Sequence, residues 1–427
     1  MNIHKPSWLQ LSAVAAFMVP GLALWLPSGY SWGALLLLLC SLTSVATWWR
    51  RPLGAAGAGA WALVGAMALM GLVWALDADA GGSTRHLDRA AKYLAALPCL
   101  FFLLAYPPRA GALWWGLVVG ATGSGLLALY QADVLGVGRV AGFTNAIQYG
   151  NLSLALGVMC ALVLCALGAA LRRWAAAGLA LGLVLGLLGS LLSMSRGGWL
   201  ALALSLPLWL ALLWRWGHRR TLWHTAGLCV VAALAALAVQ GPELSQRWDK
   251  AHTEVLDYTR DGQAGSSVGQ RLDHWRLAWA MGWDRPWTGW GRVGYAQEKK
   301  RRVAAGQADP FVLQFDHGHN DALDLFAKRG LPGVLALLLL YAVPWVIFWP
   351  TQRRLAADLH QPEGTALALR LVGLALPVLY LGFGLTQAFL AHNSGNMFYL
   401  FMVMLVFAAL QAPGASAPVR AVPSPRA

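Results

Sequence analysis

Residues 174–193 read WAAAGLALGLVLGLLGSLLS and residues 197–214 read GGWLALALSLPLWLALLW, with only Met194, Ser195 and Arg196 between them. Each run approaches the ~20 apolar residues a helix needs to cross the hydrocarbon of a bilayer. Inside lipid the backbone must satisfy its own hydrogen bonds, which selects helix for such runs. Alanine, glycine and leucine dominate, and small residues let membrane helices pack closely. Working outward, breaks at charge, glycine, proline and turn clusters define twelve such stretches: 8–27, 31–48, 54–76, 90–106, 110–134, 147–170, 174–193, 197–214, 221–240, 332–350, 366–388 and 394–411. Composition agrees: the 427 residues are 58% hydrophobic and 12% charged. Soluble domains carry about 25% charged residues, so too few polar side chains remain to cover a soluble surface. A disordered chain, a secreted disulfide scaffold and a nucleic-acid-binding domain are poor fits. The expected fold is an all-α polytopic membrane protein with about twelve transmembrane helices, the first long enough to span rather than to be a cleaved leader.

Lysine and arginine set the orientation. With a cytoplasmic N-terminus, 14 basic residues against two acids (Asp358 and Glu363) fall on the cytoplasmic side. The short outer loops hold only Arg85, Arg89, Lys92, Arg139 and Arg196, against four acids. This is the positive-inside bias, and an even helix count returns the C-terminus to the same side. The basic skirt also suits anionic membrane lipids. Residues 241–331 break the pattern, holding 13 of the 32 basic and 12 of the 18 acidic residues. Long loops translocate regardless of charge, so this segment reads as one large outer-face loop. The expected organisation is nine transmembrane helices in 1–240, the loop with short amphipathic helices in 241–331, three further helices in 332–411, and a disordered cytoplasmic tail in 412–427. Cys40, Cys99, Cys160, Cys165 and Cys229 lie in apolar runs and read as packing residues.

The polar chemistry concentrates in the outer loop. Ser267-Val268-Gly269-Gln270 has the form of a capping box, and a helix is expected from about Val268 to Met281, stopping at Gly282. Leu272, Trp275 and Trp279 make an apolar stripe on it. With Trp283, Trp287 and Trp290, the segment looks interfacial. Arg271 either snorkels over Trp275 or faces a ligand. Further on, Asn320 is a candidate N-cap and Gly330 a candidate stop before Pro332. His319 then sits at a helix N-terminus, whose dipole disfavours imidazolium, and a neutral imidazole can act as a general base. The bland alternative is a solvated loop histidine. A metal site from His317, His319, Asp316 and Asp321 is the weaker reading, because an HxH pair lacks a carboxylate at a zinc-signature spacing.

Arg196 lies between two apolar runs, where a charge at membrane depth costs about 2.5–3.5 kcal/mol, and Gly197 and Gly198 permit close backbone approach. Arg139 precedes the polar stretch Gly142-Phe143-Thr144-Asn145. Arg85 and Arg89 lie in another outer loop. Guanidinium suits phosphate oxygens, and as a set these arginines point to an anionic ligand. Gln387, His392 and Asn393 open the last outer loop and can reach the same cavity.

Three places resemble the O-antigen ligase and polymerase superfamily of bacterial envelopes. His319-Asn320, nine residues and then Gly330-Leu331-Pro332-Gly333 is similar to the ligase pattern H[NSQ]x9GxxG. Ser195-Arg196-Gly197-Gly198 resembles its S-R-G turn, and Gly289, Gly291 and Gly294 after Pro286 resemble its Pro…Gly-x-Gly run. Arg139 to Asn145 is a looser likeness. The resemblance implies a GT-C-like fold in the bacterial inner membrane with a periplasmic active site. It implies transfer of a polysaccharide from undecaprenyl diphosphate to a sugar hydroxyl of lipid A-core, without metal or cofactor. On that likeness, His319 is the base and Arg196 and Arg271 bind the diphosphate. Arg139, Arg85 and Arg89 are further phosphate or acceptor contacts, and His317 and Asn320 position the site. An O-antigen polymerase and a protein O-oligosaccharyltransferase share the donor and remain open. A transporter is a different class, disfavoured because no acidic relay sits mid-span.

Overall fold

The computed structural model describes residues 7–51, 53, 56–76, 87–231, 234 and 267–413. Among these residues the structure is helical throughout, with no strand. The principal helices are α1 (Trp8–Gly21), α2 (Gly29–Thr43), α3 (Gly57–Ala75), α4 (Leu87–Ala105), α5 (Ala110–Leu129), α6 (Ala146–Leu167), α7 (Arg173–Leu192) and α8 (Arg196–Trp216). Further along the chain come α9 (Ser267–Asp284), α10 (Gly291–Ala304), α11 (Asp321–Phe348), α12 (Thr365–Gly384) and α13 (Asn393–Leu410). Each of the twelve apolar stretches is helical over most of its described residues. Eight of the helices are long and apolar enough to cross a membrane, and α1 and α2 are shorter apolar helices. α4 carries Asp88, Arg89 and Lys92 in its first turns. The stretch 221–240 is helical through 231, and the expected tail, from residue 414 on, lies outside the described residues.

Packing identifies the solvent. α12 and α13 are 94% buried over their apolar windows and α6 is 83% buried, whereas α3, α7 and α8 bury only 39–44% of theirs. The outer helices turn Trp61, Leu204, Leu335 and Val346 outward. Isolated exposed apolar residues are normal, but whole apolar helix faces on a soluble monomer are not. Lipid is the medium that accepts them. The molecule is a multi-pass membrane protein.

The bundle has two unlike ends. At one, Arg51 donates to the Ala105 carbonyl at 2.9 Å, Arg370 pairs with Asp358 at 2.6 Å, and the His218 N–H meets the Cys165 carbonyl at 3.0 Å. Arg51, and Arg370 through the Ile347 carbonyl at 2.8 Å, cap the last carbonyls of helices, which have no partner inside the helix. The other end gathers the N-termini of α4, α6, α8, α11 and α13 with the C-termini of α5, α7 and α12, and there the polar residues singled out above are found.

Helices α9 and α10 dock on α11. α9 runs through Gly282 to Asp284 instead of stopping at the glycine. A Cβ on Gly282 would stand 2.2 Å from the Phe326 ring, so this glycine serves close helix packing, not termination. Nor is the buried face of α9 the Leu272–Trp275–Trp279 stripe. His274, Leu277, Ala278 and Met281 are buried, while Trp279 is 53% and Trp283 55% exposed. The partner α11 decides which stripe goes inward, and Trp279 and Trp283 face out as an interfacial helix requires. Gly330 breaks α11 with φ 64°, after which the helix resumes through Pro332. The Leu331 N–H donates to the Pro286 carbonyl at 2.6 Å, and the Trp290 N–H to the Ala327 carbonyl at 3.0 Å. A Cβ on Gly289 would lie 2.2 Å from the Lys328 carbonyl carbon, and one on Gly330 2.3 Å from the Pro286 oxygen. The two glycine motifs are therefore two sides of one backbone crossing.

Gly330→Ala should lower the thermal unfolding temperature in detergent. The left-handed backbone alone costs about 1–3 kcal/mol in a residue with a side chain, and the clash with Pro286 adds to it. Gly65→Ala, where an added methyl meets nothing within 4 Å, should leave that temperature unchanged or raise it.

Candidate active site

The site is assembled around the segment from Phe311 to His319. Lys299 of α10, buried at 3% exposure, donates to the carbonyls of Val312 and Phe315. Lys328 of α11 donates to the Asp316 carbonyl at 2.7 Å and pairs with Asp324 at 2.7 Å. Asp324 in turn accepts from the Gly318 N–H at 2.9 Å, between the two histidines. Three buried charges thus hold four backbone groups between Val312 and Gly318. Lysine suits this role, since its ammonium carries three donors and no acceptor. Asn320 caps α11 by accepting from the Leu323 N–H at 3.0 Å, and its amide donates to the Leu385 carbonyl at 3.3 Å. His319 stands one residue before the cap.

Four imidazoles meet there. Ring centroids of His317 and His319 are 4.4 Å apart, His274 and His319 5.2 Å, and His317 and His392 5.8 Å. Burial lowers the proton affinity of all four, which the charges of their neighbours reinforce. His274 falls to about 3 and His317 to about 4. His319 is lowered by burial and by the Arg271 and Lys299 charges, against an upward pull from the Gln387 hydrogen bond and Asp324. His392 is lowered by burial, then by Arg89 and His319. Burial is the first cause that favours the neutral form of His319. Gln387 lies between two of the rings: its Oε1 is 2.9 Å from His319 Nδ1 and its Nε2 is 3.0 Å from His392 Nε2.

The arginines approach by different routes. Arg271, on α9 one turn before Trp275, is near enough for its charge to act on His319. Arg196 is the first residue of α8 and is exposed. The next residue, Gly197, fits so closely on Thr386 that a Cβ would stand 2.2 Å from its hydroxyl, which sets this turn beside Gln387. Ser195 donates to Asn151 at 3.1 Å instead of capping α8. Arg139 Nε donates to the Ser193 carbonyl at 3.3 Å, joining the same turn. Arg89 lies over the Trp74 ring at 4.7 Å and acts on His392. Its neighbour Lys92 donates to Asn393 at 2.7 Å. Arg85 lies outside the described residues. Among the described residues three non-glycine positions have positive φ: Ser28, Met194 and His319. Two of them sit in the two turns that carry the candidate residues, where stored strain is typically found.

Some contributors escaped the sequence reading. His274 is fully buried with both ring nitrogens unpartnered. Its signal was available, since Arg271, His274 and Ala278 share one face at helical spacing. Asp324 and Lys328 are spaced i,i+4 and were legible as an ion pair, but not as the clamp of the histidine loop. Among the described residues no group of three or more His, Cys, Asp or Glu is arranged to hold a metal ion.

Fold and site together define a membrane-embedded helical bundle with a one-ended cluster of neutral imidazoles and arginines. Residues 181–338, from within α7 to the middle of α11, match the family model described as O-antigen ligase. The chain is also 25% identical over 325 residues to an uncharacterized protein of Haemophilus influenzae, covering 76% of this chain and 79% of that one.

The four histidines titrate near pH 6.5 when unfolded and lower when folded, so the unfolded state binds more protons as acid is added. Their contribution to stability is therefore neutral above that pH and grows unfavourable as pH falls from about 6.5 toward 4. Thermal unfolding from pH 7.5 to 5 should show this decline, with a shallower slope in His317→Gln. In addition, Lys328→Met should destabilise by about 3–5 kcal/mol by stranding the buried Asp324 charge, and the double variant with Asp324→Leu should recover part of that loss.

Proposed function

We propose that the protein is an O-antigen ligase. It transfers a polysaccharide from undecaprenyl diphosphate to a sugar hydroxyl of lipid A-core on the periplasmic face of the bacterial inner membrane. The observation that carries the reading is the neutral His319 held beside Arg271 and the Arg196 turn, at the end of the bundle opposite the basic one. In this reading the chain has twelve spans, a GT-C-like arrangement, a periplasmic loop at 241–331 and both termini in the cytoplasm. The positive-inside distribution supports that orientation.

His319 accepts the proton of the acceptor hydroxyl as general base. The hydroxyl oxygen attacks the anomeric carbon from the face opposite the diphosphate. The new glycosidic bond forms as the bond to the diphosphate oxygen breaks, and the electron pair leaves with undecaprenyl diphosphate. The anomeric configuration inverts. Arg196 and Arg271 bind the diphosphate and stabilise the charge that develops on it. Arg139 and Arg89, with Arg85, contact phosphate or the acidic acceptor. His317 and Asn320 position the loop. The diphosphate is already a good leaving group and the arginines supply its counter-charge, so no metal is required. The outward tryptophans of α9 support a site at headgroup level, where both lipid-linked substrates present their sugars.

Purified protein with a labelled undecaprenyl-diphosphate-linked glycan and lipid A-core should transfer the label. His319→Ala should lose transfer by about 100-fold or more while still binding the donor; full activity in that variant would remove the base assignment. Arg196→Ala and Arg271→Ala should weaken donor binding or turnover. Activity should persist after exhaustive chelation. Offering a second lipid-linked glycan, or a Ser/Thr peptide, in place of lipid A-core separates the polymerase and protein-glycosylating alternatives by which acceptor is labelled.

A further inference from the structure

One buried carboxamide lies between two imidazoles. Gln387 is 4% exposed, and its two polar atoms contact His319 Nδ1 and His392 Nε2 at 2.9 and 3.0 Å. A carboxamide oxygen only accepts and its nitrogen only donates. The observed orientation therefore assigns protons on both rings. His319 carries its hydrogen on Nδ1 and leaves Nε2 with a free lone pair. His392 accepts at Nε2 and keeps its hydrogen on Nδ1. Turning the amide over reverses both assignments and protonates His319 at Nε2, which abolishes its basic face.

Proton uptake separates the two arrangements. An imidazolium has an N–H on both nitrogens. In the observed orientation the Nδ1–H of charged His319 still meets an oxygen. In the reversed one it would face another N–H. The segment that carries Gln387 is fixed to the His319 segment by two further bonds. Asn320 donates to the Leu385 carbonyl at 3.3 Å, and the Leu390 N–H donates to Asp321 at 3.2 Å. The amide and the ring therefore hold a set distance.

We infer that Gln387 is the positioning residue of the proposed transfer, holding His319 in the Nδ1–H tautomer with Nε2 free to take the acceptor proton, while the far end of the amide donates to His392. The inference rests on the general-base reading of His319. It is the neutral-carboxamide counterpart of the carboxylate that orients a catalytic histidine. An amide is the fitting choice in this setting. A carboxylate would add a buried charge to a pocket whose imidazoles are uncharged, and burying a charge is costly. The charged or titratable groups that face His319 are Arg271 and His274 from α9, Lys299 from α10, Asp324 from α11, His317 from its own loop and His392 across the amide.

The test uses the full-length protein in nanodiscs, with a labelled undecaprenyl-diphosphate-linked oligosaccharide as donor and lipid A-core as acceptor. Gln387→Leu removes the acceptor for Nδ1–H and should lower kcat by about tenfold or more with KM for the donor little changed. Gln387→Glu keeps an acceptor and adds negative charge, which raises the proton affinity of His319. It should retain more turnover than Gln387→Leu. Because the rate needs the neutral ring, its acid limb should move to higher pH. Wild-type kcat in Gln387→Leu overturns the proposal. So does an unmoved acid limb in Gln387→Glu, whether activity is kept or lost, since a merely structural glutamine would give that result. His319→Ala separates the two levels. Transfer by His319→Ala would sink the general-base reading itself, whereas an inactive His319→Ala beside a normal Gln387→Leu would sink only the positioning role.

Discussion

Asp324 and Lys328 stand one turn apart on α11, both nearly excluded from solvent, and the candidate site hangs from their pairing. Lys328 reaches past the carboxylate to the Asp316 carbonyl, while Asp324 takes the Gly318 N–H. Lys299 holds the preceding turn in the same manner. A buried ion pair adds little net stability against an apolar replacement, but losing one partner is severe. Here the pair spends its spare hydrogen-bonding capacity on a loop backbone that has no helix or sheet to satisfy it. That explains how this segment is held at the end of a membrane bundle, and why His319 can persist with a left-handed backbone.

The same economy governs the remaining turns. The Arg196 turn is strained at Met194, tied by Ser193 and Ser195, and pressed against Gly150, Asn151 and Thr386. Gly289 and Gly330 let two chain segments cross at backbone distance, which brings α9 and α10 onto α11. Together these contacts bring three separate parts of the chain to one cluster: the α7–α8 turn, helices α9 and α10, and the α12–α13 connection. A neutral imidazole with guanidinium groups near it is a coherent device for moving one proton while a phosphate ester departs.

The membrane helices were legible because lipid imposes a length and an apolar composition that can be read without any partner. The cap at Asn320 and the break at Gly330 were legible for local reasons, since each depends on the chemistry of a single residue. The inward face of α9 was not. Tryptophans at helical spacing mark a stripe, but whether that stripe meets protein or lipid depends on α11, which lies some 40 residues further along the chain. Gly282 misled for the same reason, because a glycine that ends a helix and one that admits a neighbouring ring look alike until the ring is placed.

The amino-acid sequence by itself determined the solvent of this protein, the uneven placement of its charge along the chain and the residue types of its polar segments. Those properties are sums over local composition. Only the tertiary structure decided that Gln387 separates His319 from His392, that two lysines suspend the histidine loop, and that Arg196 opens beside Thr386. Such relations join segments far apart in the chain through hydrogen bonds a few ångströms long, and directional contacts of that range exist only after the helices have packed.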